Sequence, residues 1–398
     1  MLTQAVILVG GLGTRLGALT RETPKPLIEV AGRPFVEHVI QELSRYGCFE
    51  EIVLLAGYRA DAVRALYDGR RFGKTRIRVH VEPSPLGTAG ALAHARDRLA
   101  SRFLLANGDS FFDFNVLDLV TSPERSLVHM ALRADVVGDR FGRVVLEGPR
   151  VTRFVEPGFG ATGPVNAGVY LVDRGVVPVA TGAPVSLERD ILPALASSGD
   201  LTGRAYAGNF IDIGVPDDFA RARETLAGWL RRPAIFFDRD GVLNRDAGYT
   251  HRAEDLEWMP GAREAVRAVN DAGWFAFVVT NQSGVARGFY DEADVVAFHA
   301  RMAADLHAVG AHIDAFEYCP DHPDGTVERY ARACRRRKPE PGMIVDLAAR
   351  WSIDLGRSCL IGDKESDLDA ARAAGIAARL FRQGDDDLYE LTSRVLGA

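Results

Sequence analysis

Short apolar runs rich in β-branched residues alternate along this chain with longer stretches of helical period. Ala5–Val9, Glu51–Ala56, Ile77–Glu82 and Phe103–Ala106 have the length and composition of buried strands. Arg33–Tyr46, Leu187–Ser198 and Pro216–Leu230 read as helices. Around Gly228–Pro233 the pattern restarts, with Ala234–Phe237 opening a second series that continues through Phe277–Val279 and Leu360–Ile361. Strand-then-helix alternation predicts an α/β protein with largely parallel sheets. At 398 residues the chain exceeds one ordinary core, so two domains are expected, residues 1–230 and 231–398, each a mainly parallel sheet flanked by helices.

Composition narrows the class. The chain is 47% hydrophobic and 26% charged, and no apolar run reaches the roughly 18 residues that span a bilayer, so no membrane partner is expected. Ala5–Val9 leads straight into glycines without a charged-then-apolar signal segment, and a cytoplasmic protein is expected. A net charge of −6 argues against a nucleic-acid partner held by phosphate neutralisation. Cys48, Cys319, Cys334 and Cys359 are too few for a disulfide framework, and Cys48 and Cys359 read as core residues. Nothing here reports the oligomeric state.

The first chemistry lies where Ala5–Val9 ends. Gly10, Gly11 and Gly13, followed by Thr14, let backbone N–H groups turn toward an anion. Arg15 adds a fork suited to phosphate, and Lys25 arrives from a loop stiffened by Pro24 and Pro26. A dinucleotide-binding loop would need a third glycine, which is absent, and would leave Arg15 and Lys25 without a role. The combination G-G-x-G-T-R with P-K-P resembles the sugar-phosphate nucleotidylyltransferases, over residues 1 to about 230. The resemblance implies a Rossmann-like domain in which a sugar 1-phosphate attacks the α-phosphate of a nucleoside triphosphate and releases pyrophosphate. Arg15 and Lys25 are then expected to neutralise the α-phosphate, and Asp109 and Asp212 to hold Mg²⁺. P-L-G-T-A-G-A-L, with Gly87 and Thr88, corresponds to the stretch beside the base. Glu82 precedes it, and an acceptor-only carboxylate matches the two adjacent donors of guanine, so GTP is the favoured nucleotide. Glu156, Asn166 and Gly168 correspond to the sugar side, although the lysine that the family places between the glutamate and the following proline is missing before Pro157.

The second chemistry follows Ala234–Phe237. Asp238 and Asp240, two residues apart beyond a strand, suit a nucleophile and a general acid/base acting on one phosphate. Thr280 and Asp363 follow later apolar runs, and Lys338 lies between them in the cationic segment Arg337-Lys338-Pro339. These segments, in this order, resemble the haloacid dehalogenase (HAD) superfamily of phosphatases, with a minimal cap. The resemblance implies Asp238 as nucleophile, Asp240 as acid/base, Thr280 and Lys338 as phosphoryl stabilisers, and Asp238, Asp363 and the Asp240 backbone as Mg²⁺ ligands. From Ala234 to about Arg382 the likeness extends to the heptose-bisphosphate phosphatases, with the histidinol phosphatases as the alternative. It carries over substrate contacts onto Asp246, Gly248, Tyr249, Asn281, Gln282, Ser283, Arg337, Lys338 and Lys364. That group has a zinc loop, C-x-H then C-x-C. Here Asp321 and Arg336 replace two ligands and leave Cys319, His322 and Cys334, with Asp321 a poor fourth, so zinc is not expected and packing and ion pairs should hold the loop.

Taken together, the resemblances imply consecutive steps: removal of the 7-phosphate from a heptose 1,7-bisphosphate, then coupling of the heptose 1-phosphate to a nucleotide. A hexose-1-phosphate transferase fused to a phosphatase for another phosphoester is the other enzyme reading. A non-catalytic scaffold conflicts with the presence of every catalytic side chain.

Overall fold

A computed structural model describes residues 2–397 other than Leu12, Glu22, 135–141, 157–162 and 180–182. The chain divides into two compact units, Met1–Ala227 and Gly228–Ala398, three residues ahead of the expected boundary and inside the helix Pro216–Leu230.

In the first unit, parallel strands run in the order Arg102–Asn107, Gln4–Leu8, Glu51–Ala56, Thr75–Val81. Val6, Val53 and Leu105 enter the core on one face, while Ala5, Ile7 and Leu54 are equally buried on the other. Two-sided burial explains why these strands read as unbroken apolar runs rather than alternating ones. Leu8 is paired with Asn107 and Leu55, so the segments beginning at Gly10, Gly57 and Gly108 leave the sheet at one edge. Beyond Arg102–Asn107 the sheet becomes mixed. Val165–Asp173 lies antiparallel between Arg102–Asn107 and Val128–Arg133, and Leu201–Tyr206 pairs parallel with the latter. A hairpin-like pair, Ser110–Phe112 with Phe210–Asp212, sets Asp212 opposite Ser110.

Two expected helices are shortened by proline. The first runs Phe35–Ser44, because Pro34 at φ −53°, ψ 137° is extended. Leu187–Ser198 becomes a wide turn, Leu187–Ile191, followed by Leu192–Ser198 with Pro193 in its first turn.

The second unit is a five-stranded parallel sheet in the order Ala315–Cys319, Phe275–Asn281, Ala234–Phe237, Cys359–Gly362, Ala377–Leu380. One face is covered by Val266, Phe298 and Met302, and the other by Met343, Ile344 and Leu347. The first strand in the chain is central, and later strands are added on both sides of it, so a crevice opens at its C-terminal end, where Asp238 follows. From there to the helix Ala262–Asp271 the chain is irregular apart from the short turn Ala253–Asp255, in keeping with a minimal cap. Cys48 and Cys359 are buried. Among the described residues no helix is long and apolar enough to cross a membrane.

Candidate active sites

Lys25 opens a short helical turn behind extended Pro24 and is itself buried. Its Nζ lies 2.5 Å from Asp109 Oδ2. Ser110 Oγ donates to Asp212 Oδ2 at 3.2 Å, and the Gly214 N–H donates to Asp212 Oδ1 at 2.6 Å. A methyl placed on Gly214 would meet Asp212 Oδ1 at 2.5 Å, Lys25 Nζ at 3.3 Å and Arg15 Nη2 at 3.4 Å. Arg15, Lys25 and Asp212 therefore face one small space, which the missing side chain keeps open, and Asp109 reaches it through Lys25. Burial, and then the neighbouring Asp109 carboxylate, push the Asp212 carboxyl above its ordinary range. Two neighbouring carboxylates, one of them paired with Lys25, offer the oxygen ligands that a hard divalent cation takes.

Glu82 follows Thr75–Val81, and its carboxylate lies on the glycine loop. A Cβ on Gly10 would be 3.0 Å, and one on Gly57 2.2 Å, from Glu82 Oε1. The Leu86 N–H donates to Glu82 Oε2 at 3.3 Å, and burial raises the carboxyl's pKa. Gly57 was not singled out from the sequence; glycine there makes room for Glu82. Gly13 takes φ +63° against Thr20, Thr14 begins the Thr14–Thr20 turn, and Gly11 borders open space.

Several of the expected contact residues also bond or pack within the protein. Gly87, at φ +75°, sits where a Cβ would lie 2.5 Å from Val185 O, which by itself calls for glycine. Thr88 Oγ1 donates to Glu188 at 2.8 Å and accepts from the Leu187 N–H at 2.7 Å. The Asn166 amide donates to Tyr170 Oη at 2.7 Å and accepts from the Gly168 N–H at 3.0 Å, so both ends serve its own bulged strand. Gly168, at φ +73°, accommodates Asn107. Glu156 is exposed just past Arg150–Val155, and the missing lysine at Pro157 lies outside the described residues.

In the second unit Lys338 Nζ is 2.8 Å from Asp238 Oδ1 and 2.6 Å from Asp367 Oδ1, and donates to Val279 O at 2.8 Å. Burial alone would lower the lysine's pKa, but the Asp238 and Asp367 carboxylates outweigh it and hold the ammonium charged. Carboxylate oxygens of Asp238, Asp363 and Asp367 lie within 4.8 Å of one another. Burial, then the Asp238 charge, push the Asp363 carboxyl up to about 6, and its Oδ1 is buried without a hydrogen-bond partner. Gly241 and Gly362 make room for this cluster, since a Cβ on either would be 2.5 Å or less from Asp363 or Asp367. Three converging carboxylates with an orphaned oxygen fit a hard, oxygen-seeking cation.

The Asp240 carboxylate is not in that cluster. It turns to Arg239, whose Nη2 lies 2.9 Å from Asp240 Oδ2, so a metal-ligand role for Asp240 does not extend to its side chain. A cavity of about 240 Å³ is lined by Asp238, Asp240, Thr280 and Lys338, with Asp246, Gly248, Tyr249, Asn281, Ser283 and Lys364 around them. Tyr290 and Ser366 also line it, although neither stood out in the sequence. Gln282 and Arg337 are not among the lining residues. Gln282 is buried beneath the cavity, and Arg337 donates to Asp321 O at 3.3 Å. Asn281 exchanges hydrogen bonds with the Lys338 backbone at 3.0 Å each way and so fixes that lysine.

In the degenerate loop, the donor atoms of Cys319, Asp321 and Cys334 come within 4.8 Å of one another, and His322 is not part of the group. His322 Nδ1 accepts instead from the Asp324 N–H at 3.1 Å. Burial pushes the Cys319 thiol up to about 12, and Arg332 Nε lies 3.3 Å from Asp321 Oδ2. Arg336 and Arg350 both pair with Glu317, and Arg335 pairs with Asp346 at 2.7 Å.

Fold and sites define a two-part α/β enzyme with a nucleotidyl-transfer unit followed by a phosphatase unit. The chain matches the nucleotidyl transferase family model over residues 4–228 and a HAD-hydrolase-like model over residues 335–395. The D-glycero-β-D-manno-heptose-1,7-bisphosphate 7-phosphatase of Rhodopseudomonas palustris is 50% identical over 159 residues, 40% of this chain and 88% of that protein. The D-glycero-α-D-manno-heptose-1,7-bisphosphate 7-phosphatase of Burkholderia mallei is 41% identical over 152 residues, 38% and 80% respectively. The crystal structure of HddC from Yersinia pseudotuberculosis, also solved with GMP-PN, is 29% identical with a TM-score of 0.51, covering 56% of this chain and all of that one. The chain belongs to the nucleotidyl transferase family, and its second unit to the HAD-type heptose-1,7-bisphosphate 7-phosphatases.

Proposed function

We propose that the second unit removes the 7-phosphate of a heptose 1,7-bisphosphate and that the first unit joins the resulting heptose 1-phosphate to GMP from GTP. The carrying observation is the convergence of Asp238, Asp363, Asp367 and Lys338 beyond a central strand, in a unit half identical to a heptose-bisphosphate 7-phosphatase.

In the phosphatase unit a carboxylate oxygen of Asp238 bonds to phosphorus as the bond to the sugar O7 breaks, and Asp240 gives that oxygen a proton. Thr280 and Lys338 hold the phosphoryl oxygens. Water then attacks the aspartyl phosphate, Asp240 takes its proton, and phosphate leaves. Asp238, Asp363 and Asp367 would hold Mg²⁺, as Asp109 and Asp212 would in the transferase unit. When bound, the ion offsets the mutual repulsion of carboxylates and phosphate.

In the transferase unit a phosphate oxygen of the sugar 1-phosphate bonds to the α-phosphorus, and the bond to the bridging oxygen of pyrophosphate breaks. The attacking group is already an anion, so no base is required. Arg15 and Lys25 neutralise the charge, while Glu82, poised on Gly10 and Gly57, accepts from guanine N1–H and the 2-amino group. Use of GTP supports a cytoplasmic enzyme.

We propose further that the Cys319–Cys334 loop works without zinc. Three donors fall short of four, and Asp321 already pairs with Arg332. The deciding experiment incubates each anomer of heptose 1,7-bisphosphate with each of the four nucleoside triphosphates and Mg²⁺. GDP-heptose, with phosphate and pyrophosphate released in equal amounts, is expected. Phosphate release without any nucleotide sugar would sink the coupled scheme.

A further inference from the structure

We propose that Arg239 and Gln282 are positioning residues that together aim two catalytic groups, the Asp240 carboxyl and the Thr280 hydroxyl. The proposal rests on the phosphatase reading above and assigns work to two side chains that never reach the cavity.

Arg239 stands between the two site aspartates, yet it is completely buried. Its guanidinium grips Asp240 as a fork, Nε to Oδ1 at 3.0 Å and Nη2 to Oδ2 at 2.9 Å. The same Nη2 donates to Thr250 O at 2.8 Å and to Gln282 Oε1 at 3.0 Å, which fixes the fork from behind. Burying a guanidinium is costly unless its donors are satisfied; here Nε and Nη2 are held by the acid/base carboxylate and the groups around it, and Nη1 faces His299 Nε2 at 3.4 Å.

Gln282, 1% exposed, is oriented just as firmly. Its Oε1 accepts from both Arg239 and the Tyr290 hydroxyl, the latter at 2.8 Å. With its oxygen fixed by two donors, its nitrogen has one direction left. Nε2 therefore donates to Asp240 Oδ2 at 2.8 Å and to Thr280 Oγ1 at 2.9 Å. A hydroxyl that accepts from Gln282 turns its own proton elsewhere, and Thr280 lines the phosphate cavity. One amide thus sets both the acid/base carboxyl and the hydroxyl donor to the phosphoryl group. Asn244 Nδ2 adds a further donor to Asp240 Oδ1 at 3.0 Å.

Leaving-group dependence separates positioning from general support. The ratio kcat/KM reports phosphoryl transfer to Asp238, in which an alkoxide leaving group needs the Asp240 proton and 4-nitrophenolate does not. In the full-length enzyme with Mg²⁺, Arg239→Lys is expected to lower kcat/KM about 30-fold for an alkyl phosphomonoester and less than about threefold for 4-nitrophenyl phosphate. Gln282→Leu, which also releases Thr280, should cost about tenfold on the aryl ester and about tenfold more again on the alkyl ester. Melting temperatures are read alongside, and if Arg239→Lys does not fold, the Gln282→Leu ratio decides alone. Equal losses on both esters, or no loss, would overturn the proposal. A wild-type enzyme that cleaves neither ester nor a heptose bisphosphate would instead overturn the phosphatase reading.

Discussion

Replacing Asp363 by Asn probes the electrostatics of the phosphatase site without touching the nucleophile. Burial and Asp238 push this carboxyl up to about 6, from an ordinary value near 3.8. A raised folded-state pKa stabilises the protein where the group is protonated, below its ordinary value, and that stability is lost as pH rises through about 6. The full shift corresponds to about 3 kcal/mol. The side chain is 22% exposed, so solvent screening reduces this roughly by half, to about 1.5 kcal/mol. Losing the 3.6 Å pairing with Lys364, itself 56% exposed, takes back at most about 0.5 kcal/mol. With a chelator present at about pH 7.5, Asp363→Asn should therefore melt about 2–4 °C above wild type, the two converging below about pH 4. Excess Mg²⁺ should raise wild type more than the variant and reverse the order. Calorimetry across this range, with and without Mg²⁺, provides the readings. A variant less stable than wild type in chelator at about pH 7.5, or a difference that does not change with pH, would refute the reasoning.

Asp238→Asn should abolish phosphate release and leave pyrophosphate release intact, while Lys25→Ala should do the reverse; loss of both activities from either change would contradict two separate sites. Glu82→Gln should narrow the preference for GTP over UTP by about tenfold, measured as a ratio of kcat/KM values. Gly214→Ala places a methyl 2.5 Å from Asp212 Oδ1 and 3.3 Å from Lys25 Nζ. It should lower nucleotidyl transfer about tenfold or more, with phosphatase activity as the internal control. Elemental analysis of protein prepared without chelator should find less than about 0.1 zinc per chain, because a complete structural site needs four ligands.

The chain's local grammar carried far. Apolar runs ending in glycine or aspartate marked the strand ends where both sites lie, because these turns need residues that leave the sheet sharply. Long-range pairing was less legible. Val165–Asp173 is apolar on both faces and reads the same whether its neighbours run parallel or antiparallel, so the mixed half of the first sheet went unforeseen. Side-chain direction was the other loss. Gln282 and Arg337 sit in segments that line the cavity without lining it themselves, Gln282 being buried and Arg337 bonded to Asp321 O. In the zinc-like loop, Asp321, which stands where the resemblance places a histidine ligand, joins the two thiols, and His322 does not. Arg239 carried no motif of its own, and its role is visible only in what it grips.

Lys25 resting on Asp109, and Lys338 on Asp238 and Asp367, have one shared consequence. A cation already seated among carboxylates is a poor landing place for stray anions, which must displace an internal partner to reach it. Substrate phosphates face the same exchange, which a divalent cation would ease by taking over the carboxylates.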